Sequence, residues 1–121
     1  MPDFDWEDMK ISGGPEIVNN SDVLLLYKVA LSEYNLENGI LIESTYNPDI
    51  PVSVTVNEEV LLLGVYKGIL GMHGGGSVRR IVIPPDKAFG NRGFGRIPPN
   101  AYLYVEICIV SVDNDFLGKM E

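Results

Sequence analysis

Residues 58–72 read EEVLLLGVYKGILGM. Leu62, Val65, Ile69 and Met72 recur at three- and four-residue spacing, with Tyr66 adjoining, and so line up one apolar face of a helix. One helix is therefore expected between Glu58 and Met72. Gly64 and Gly68 each cost a helix about 1 kcal/mol relative to alanine, so packing rather than propensity must hold it. Close approach to a sheet would account for both glycines.

On either side the period drops to two. Val23, Leu25, Tyr27, Val29 and Leu31 share one face of an expected strand, with Leu24, Leu26, Lys28, Ala30 and Ser32 on the other. Turn chemistry at Glu37-Asn38-Gly39 leads to Ile40-Leu41-Ile42, and Asn47-Pro48-Asp49 leads to an alternating Val52–Val56. Both read as strands. Gly74-Gly75-Gly76 turns the chain into a strand over Ser77–Ile83, stopped by Pro84-Pro85. Tyr102–Val112 is the last and longest strand, with Leu103, Val105, Ile107 and Ile109 facing inward. Strand, strand, strand, helix, strand, strand is an α+β order in which the helix covers one face of an antiparallel sheet.

The chain has 121 residues and 13.3 kDa, enough for one domain. Its 45% hydrophobic and 21% charged residues are ordinary for a folded protein, but a net charge of −8 is not. That charge argues against nucleic acid or an anionic membrane surface as the main partner. No apolar run approaches the roughly 18 to 20 residues of a spanning helix. Residues 1–10 have no basic and apolar leader pattern, and Cys108 has no second cysteine to pair with, so a cytoplasmic, monomeric protein is expected. Residues 1–10, with Phe4 and Trp6 among four acidic groups, read as an acidic arm ahead of Gly13-Gly14-Pro15. The folded domain is expected over 11–113 and a C-terminal tail over 114–121.

Metal and phosphate chemistry find little support. His73 has no cluster of further ligands and reads as a solvated residue, and Cys108 reads as an inert buried thiol. The glycines at 74–76 and at 90, 93 and 95 open no helix with a lysine behind them, so they are turn glycines. Arg79 and Arg80 fall on alternate faces of a strand, as partners for surface carboxylates.

Several uncommon words occur in order: Gly71-Met72, Val78-Arg79-Arg80-Ile81-Val82-Ile83-Pro84-Pro85, Ala88-Phe89-Gly90 and Ile97-Pro98-Pro99-Asn100-Ala101. Together they resemble the C-terminal half of the FKBP-type peptidyl-prolyl cis/trans isomerases. Tyr27, Gly39, Ile42-Glu43-Ser44-Thr45, Gly64 and Gly68 extend the resemblance over roughly Ile11 to Asp113. It implies a curved five-stranded antiparallel half-barrel wrapped around one short helix. The activity implied is isomerisation of X-Pro bonds in protein segments, which assists folding and needs no cofactor and no metal. Rotation about such a bond crosses a barrier of about 18 to 20 kcal/mol, and an apolar cavity favours the less polar twisted amide.

Carried over position by position, the resemblance makes Tyr27 a pocket hydroxyl donor to a ligand carbonyl. Leu61 and Leu62 become the pair whose backbone amide meets the ligand. Ile97 precedes Pro98-Pro99 as in the family, and Phe89 replaces a tyrosine and lacks its hydroxyl. Other positions depart further. Ile42 replaces a phenylalanine, Glu43 an aspartate, Val52 an aromatic and Val105 a phenylalanine, and Val65 stands where the family has the tryptophan of the pocket floor. The loop Gly90–Arg96 is one residue shorter than the family pattern and Met72–Val78 one longer. Reduced activity and weakened macrolide binding are expected. The alternative is an FKBP-like binding or chaperone module without significant catalysis.

Overall fold

The computed structural model describes residues 3–115. Its elements run β1 (Asp5–Lys10), β2 (Asp22–Ala30), α1 (Glu33–Glu37), β3 (Glu43–Ser44), β4 (Val52–Thr55), α2 (Leu63–Ile69), β5 (Ser77–Ile83) and β6 (Leu103–Asp113). The strands form one antiparallel sheet in the order β1-β5-β6-β2-β3, with β4 also paired to β2. This is the expected α+β architecture with one strand more than expected.

The core sits between the sheet's inner face and α2. In β5 the alternation puts Ser77, Arg79, Ile81 and Ile83 inward, and in β6 Leu103, Val105, Ile107 and Ile109 are buried opposite them. The two helix glycines explain how α2 lies so close. A Cβ at Gly64 would run into the Ile83 side chain and one at Gly68 into Ile81. Without side chains there, the helix settles onto β5, and Ile69 is fully buried.

The extra strand is β1. Residues 5–10, expected as an arm, pair antiparallel with β5 from Asp5↔Val82 to Lys10↔Val78. Their own hydrophobicity would not hold them, since all six are exposed. Arg79 does. Its Nε and Nη2 donate to the two oxygens of Asp8 at 2.7 and 3.3 Å, Nη1 donates to the carbonyls of Gly68 and Leu70, and the Trp6 ring lies 5.2 Å from its Cζ. One buried guanidinium therefore ties β1 to the C-terminal turn of α2, and the carboxylate expected as its partner is Asp8 of the exposed strand β1.

Arg80 points to the outer face, where Glu106 stands between Arg80 Nε at 3.0 Å and Lys28 Nζ at 3.3 Å. Burial works to raise the Glu106 carboxyl, and the hydrogen bonds from Arg80 and Lys28 outweigh it, leaving the group below its ordinary range. The short helix α1, not foreseen, lies over this face with Leu36 buried and Glu37 on Arg80. Ser32 caps it by accepting from the Asn35 amide.

The strand expected at Ile40–Ile42 is displaced to β3. The Ile40 amide closes onto the Asn35 carbonyl behind α1, and pairing with β2 begins only at Ile42, whose amide donates to Val29. His73 is not free in solvent either: its Nδ1 lies 2.7 Å from the Gly14 carbonyl oxygen and its Nε2 4.0 Å from Glu16. Cys108 is half-buried on the outer face, and burial pushes its thiol up. At the start of the expected tail, Asn114 Nδ2 donates to the Glu16 carbonyl and Ser21 donates to the Asn114 side chain. The rest of that tail, 116–121, lies outside the described residues, as do residues 1 and 2 of the expected arm.

Candidate functional site

The inner face of the sheet is not filled along its whole length. Between α2, the inner ends of β2 and β6, and the loop joining β5 to β6 lies a cavity of about 340 Å³. Its floor comes from Val65 on α2 and from Leu103, Val105 and Ile107 on β6. Leu25, Tyr27 and Val29 of β2 continue onto a wall made by Ile42, Glu43, Val52 and Val54. Phe89, Phe94 and Ile97 form the opposite wall, with Val60, Leu61 and Leu62 at the entrance to α2.

All the pocket positions assigned from the sequence therefore meet at one concavity: Tyr27, Ile42, Glu43, Val52, Leu61, Leu62, Val65, Phe89, Ile97 and Val105. The sequence reading missed the aromatic Phe94 and the aliphatic Val60, which are 69% and 66% exposed. Both sit in loops, where periodicity gives no signal. Phe94 stacks on Phe89 with ring centroids 5.2 Å apart and planes 16° off parallel. Its backbone exchanges two hydrogen bonds with Ile97, at 2.9 and 2.8 Å, so this ring is displayed by a closed turn. Gly93 makes that turn possible: its φ is +68°, and a Cβ there would run into the Ile97 carbonyl.

Arg96 fastens the loop to the far wall, its guanidinium donating to the carbonyls of Ile42 at 3.1 Å and Leu41 at 3.2 Å. No feature of the sequence pointed to this bridge. It bridges the loop that carries Phe94 and Ile97 to the Ile42 wall.

Tyr27 and Glu43 are the ionisable side chains that line the cavity. The Tyr27 hydroxyl donates to Glu43 Oε1 at 2.5 Å. Burial, then the hydrogen bond to Glu43 and its charge, push the phenol up to about 12, so it stays protonated at neutral pH. A phenol has one hydrogen bond to donate, and here Glu43 accepts it. The expected donation to a ligand carbonyl would have to exchange this bond for one to the ligand. Backbone donors are left at the N-terminus of α2, which has no side-chain cap: among them is Leu62, the N-cap, with φ −53° and ψ 137°, whose amide finds no acceptor among the described residues.

The site can thus desolvate a small apolar group against aliphatic and aromatic walls, with free backbone amides at the start of α2 available to an adjoining carbonyl. Among the described residues no group of three or more His, Cys, Asp or Glu side chains could hold a metal ion. Among the described residues no helix is long and apolar enough to cross a membrane.

Comparison with known proteins bears on the fold and the family. The family model described as FKBP-type peptidyl-prolyl cis-trans isomerase matches residues 14–110. An FK506-binding protein of Neisseria meningitidis is 31% identical over 107 residues, spanning 88% of this chain and 93% of that protein. FK506-binding protein 2A of Rhizopus delemar is 39% identical over 75 residues, or 61% of this chain and 44% of that protein. The chain spans about half the length of several such relatives. Among solved structures, that of AtFKBP13 superposes with a TM-score of 0.75 at 28% identity, covering 89% of this chain and 91% of that one. A peptidyl-prolyl cis-trans isomerase from Pseudomonas syringae pv. tomato gives 0.75 at 23% identity, covering 92% and 76%, a likeness of fold.

Proposed function

The chain belongs to the FKBP-type peptidyl-prolyl cis-trans isomerase family, and from that premise we propose that it isomerises X-Pro bonds in flexible protein segments through the cavity under β2 and β6. The observation that carries this reading is the cavity itself, lined by apolar side chains from distant parts of the chain and by Leu62, whose amide has no acceptor among the described residues. A prolyl ring entering it leaves water together with the planar amide, whose polarity exceeds that of the twisted form. The Leu62 N–H meets the carbonyl of the bound segment. Each 1.36 kcal/mol gained in the transition state over the ground state is tenfold in rate. Bound segments are polypeptides containing proline, and the same cavity admits macrolides of the FK506 kind.

Activity below that of family members with aromatic walls belongs to this reading, because Val65, Val105, Val52 and Ile42 offer less ring contact. Assistance to folding, as a monomer in the cytoplasm, belongs to it as well, and suits a chain with one half-buried thiol. The second reading, a binding or chaperone module without catalysis, is favoured by one observation: the Tyr27 hydroxyl already donates its hydrogen bond to Glu43. Cis/trans exchange of several X-Pro peptides, followed by protease coupling or by exchange NMR, separates the two. Acceleration over the spontaneous rate, abolished by a bulky Val65→Arg change, supports catalysis. A folded sample that binds the peptides without acceleration belongs to the second reading.

A further inference from the structure

We propose that the open edge of β1 docks a basic, extended polypeptide segment, which adds to the sheet as a further strand and lays one Lys or Arg side chain into a cleft beside it. β1 begins the sheet path and pairs with β5 on one side alone, so its other edge presents backbone groups without a strand partner among the described residues. An edge of this kind is a template for strand addition. It is also preorganised. The Arg79 clamp on Asp8 and Trp6 holds β1 extended before any partner arrives, which lowers the ordering cost of docking.

The cleft is what gives the edge a chemistry. On the outer face next to β1 it has a volume of about 130 Å³, with Leu36, Val82 and Tyr104 as its floor and Asp5, Glu7 and Glu33 at its rim. Arg80 also borders it, but Glu106 and Glu37 already occupy that guanidinium at 3.0 Å each. None of Asp5, Glu7 and Glu33 has an ion-pair partner among the described residues. An apolar floor with an unneutralised acidic rim fits a long side chain with an aliphatic stem and a cationic head. Asp5 and Glu7 lie two residues apart in the strand and border the same cleft, so cations at alternate positions of the incoming strand fall beside them.

The same charges decide between occupants. A second copy would bring its own Asp5, Glu7 and Asp8 against these, in a chain whose net charge is −8, and like charges directly opposite one another oppose pairing. A basic segment reverses that sign and is steered toward the edge.

The test uses the full chain, isotopically labelled, and a proline-free peptide alternating lysine with valine, so that the cavity plays no part in the readout. Chemical shifts should move at residues 5–8 and around Glu33 and Leu36, exchange of the β1 amides should slow, and affinity should fall with added salt. A peptide with glutamate for lysine should not bind. Glu7→Lys combined with Glu33→Lys should weaken the lysine peptide by roughly tenfold or more with the thermal midpoint held. Asp5→Lys serves as an independent variant. The proposal is overturned if the glutamate peptide binds equally or the charge reversals leave affinity unchanged. Shifts confined to the Leu62 and Phe89 region, or no shift at millimolar peptide, overturn it too. Concentration-dependent shifts of β1 in the chain alone would assign the edge to a second copy instead.

Discussion

Tyr27 and Glu43 share one short hydrogen bond, 2.5 Å from phenol oxygen to carboxylate oxygen, across the wall of the cavity. Burial and the neighbouring carboxylate hold the phenol proton to about 12 against an ordinary 10.0. The folded chain therefore binds this proton more tightly than the unfolded chain does. The stability it contributes is whole below pH 10 and is lost as pH rises through about 12. Tyr46, raised first by burial and then by the Glu106 charge, titrates in the same sense, so the measurement must be a difference. The denaturation midpoint of the native chain should fall more steeply over that range than that of Tyr27→Phe, with Glu43→Gln between them. Parallel curves for all three would show that the bond contributes nothing to the alkaline limb.

The Phe94 ring is exposed yet fixed in position by its turn and by stacking on Phe89. A bulky residue next to the proline can cover it. Offset aromatic contacts add about 0.5 to 1.5 kcal/mol beyond burial, so Phe94→Ala should lower kcat/KM by roughly two- to tenfold for Phe-Pro and Leu-Pro peptides. Ala-Pro peptides should be affected less. An equal loss across all peptides would mean that Phe94 shapes the loop and does not read the substrate.

The helix glycines yield a stability prediction with an internal control. Alanine at either site gains about 1 kcal/mol of helix propensity, but overpacking a filled interface costs about 1 to 3 kcal/mol. At Gly64 the new Cβ meets the branched Cγ2 of Ile83, which cannot swing away without turning the whole side chain. At Gly68 the first atom met is Cδ1 at the end of Ile81, which has a rotatable bond to spare. Gly64→Ala should therefore lower the unfolding midpoint in denaturant more than Gly68→Ala. The reverse order would show that α2 shifts as a body to accept the methyl group.

The strand Ser77–Ile83 was legible in the sequence to its ends, because seven alternating positions lie between a turn glycine and two prolines. β1 was not. Its residues show no inward-facing apolar set, and its anchor is a salt bridge to Arg79, some seventy positions away. The pocket was legible for a different reason: Val65 and Val105 are unremarkable as residue types, and only the family resemblance placed them together. Phe94 escaped that resemblance because the loop lengths there depart from the pattern. Arg96 escaped because its partners are backbone carbonyls, which have no sequence signature.

Val65 provides the sharpest test of what the aliphatic floor does. It is half-buried on α2 and borders open volume in a cavity of about 340 Å³, so a larger side chain has room to point into it. Val65→Trp adds on the order of 100 Å² of ring contact for a bound proline, at most about 2 to 3 kcal/mol at 25 cal/mol per Å². Part of that gain acts on bound ground state and transition state alike, where it improves affinity and leaves the chemical step unchanged. The expected result is a lower KM for X-Pro peptides, tighter macrolide binding by roughly tenfold, and a kcat/KM raised more than kcat. Strain is the competing outcome, since overpacking costs about 1 to 3 kcal/mol and would lower the unfolding midpoint. A variant as stable as the native chain, with no gain in kcat/KM or macrolide affinity, would show that the proline ring does not reach Val65. The floor would then be core packing beneath a shallower site, and the aliphatic residues at 65 and 105 would set no limit on turnover.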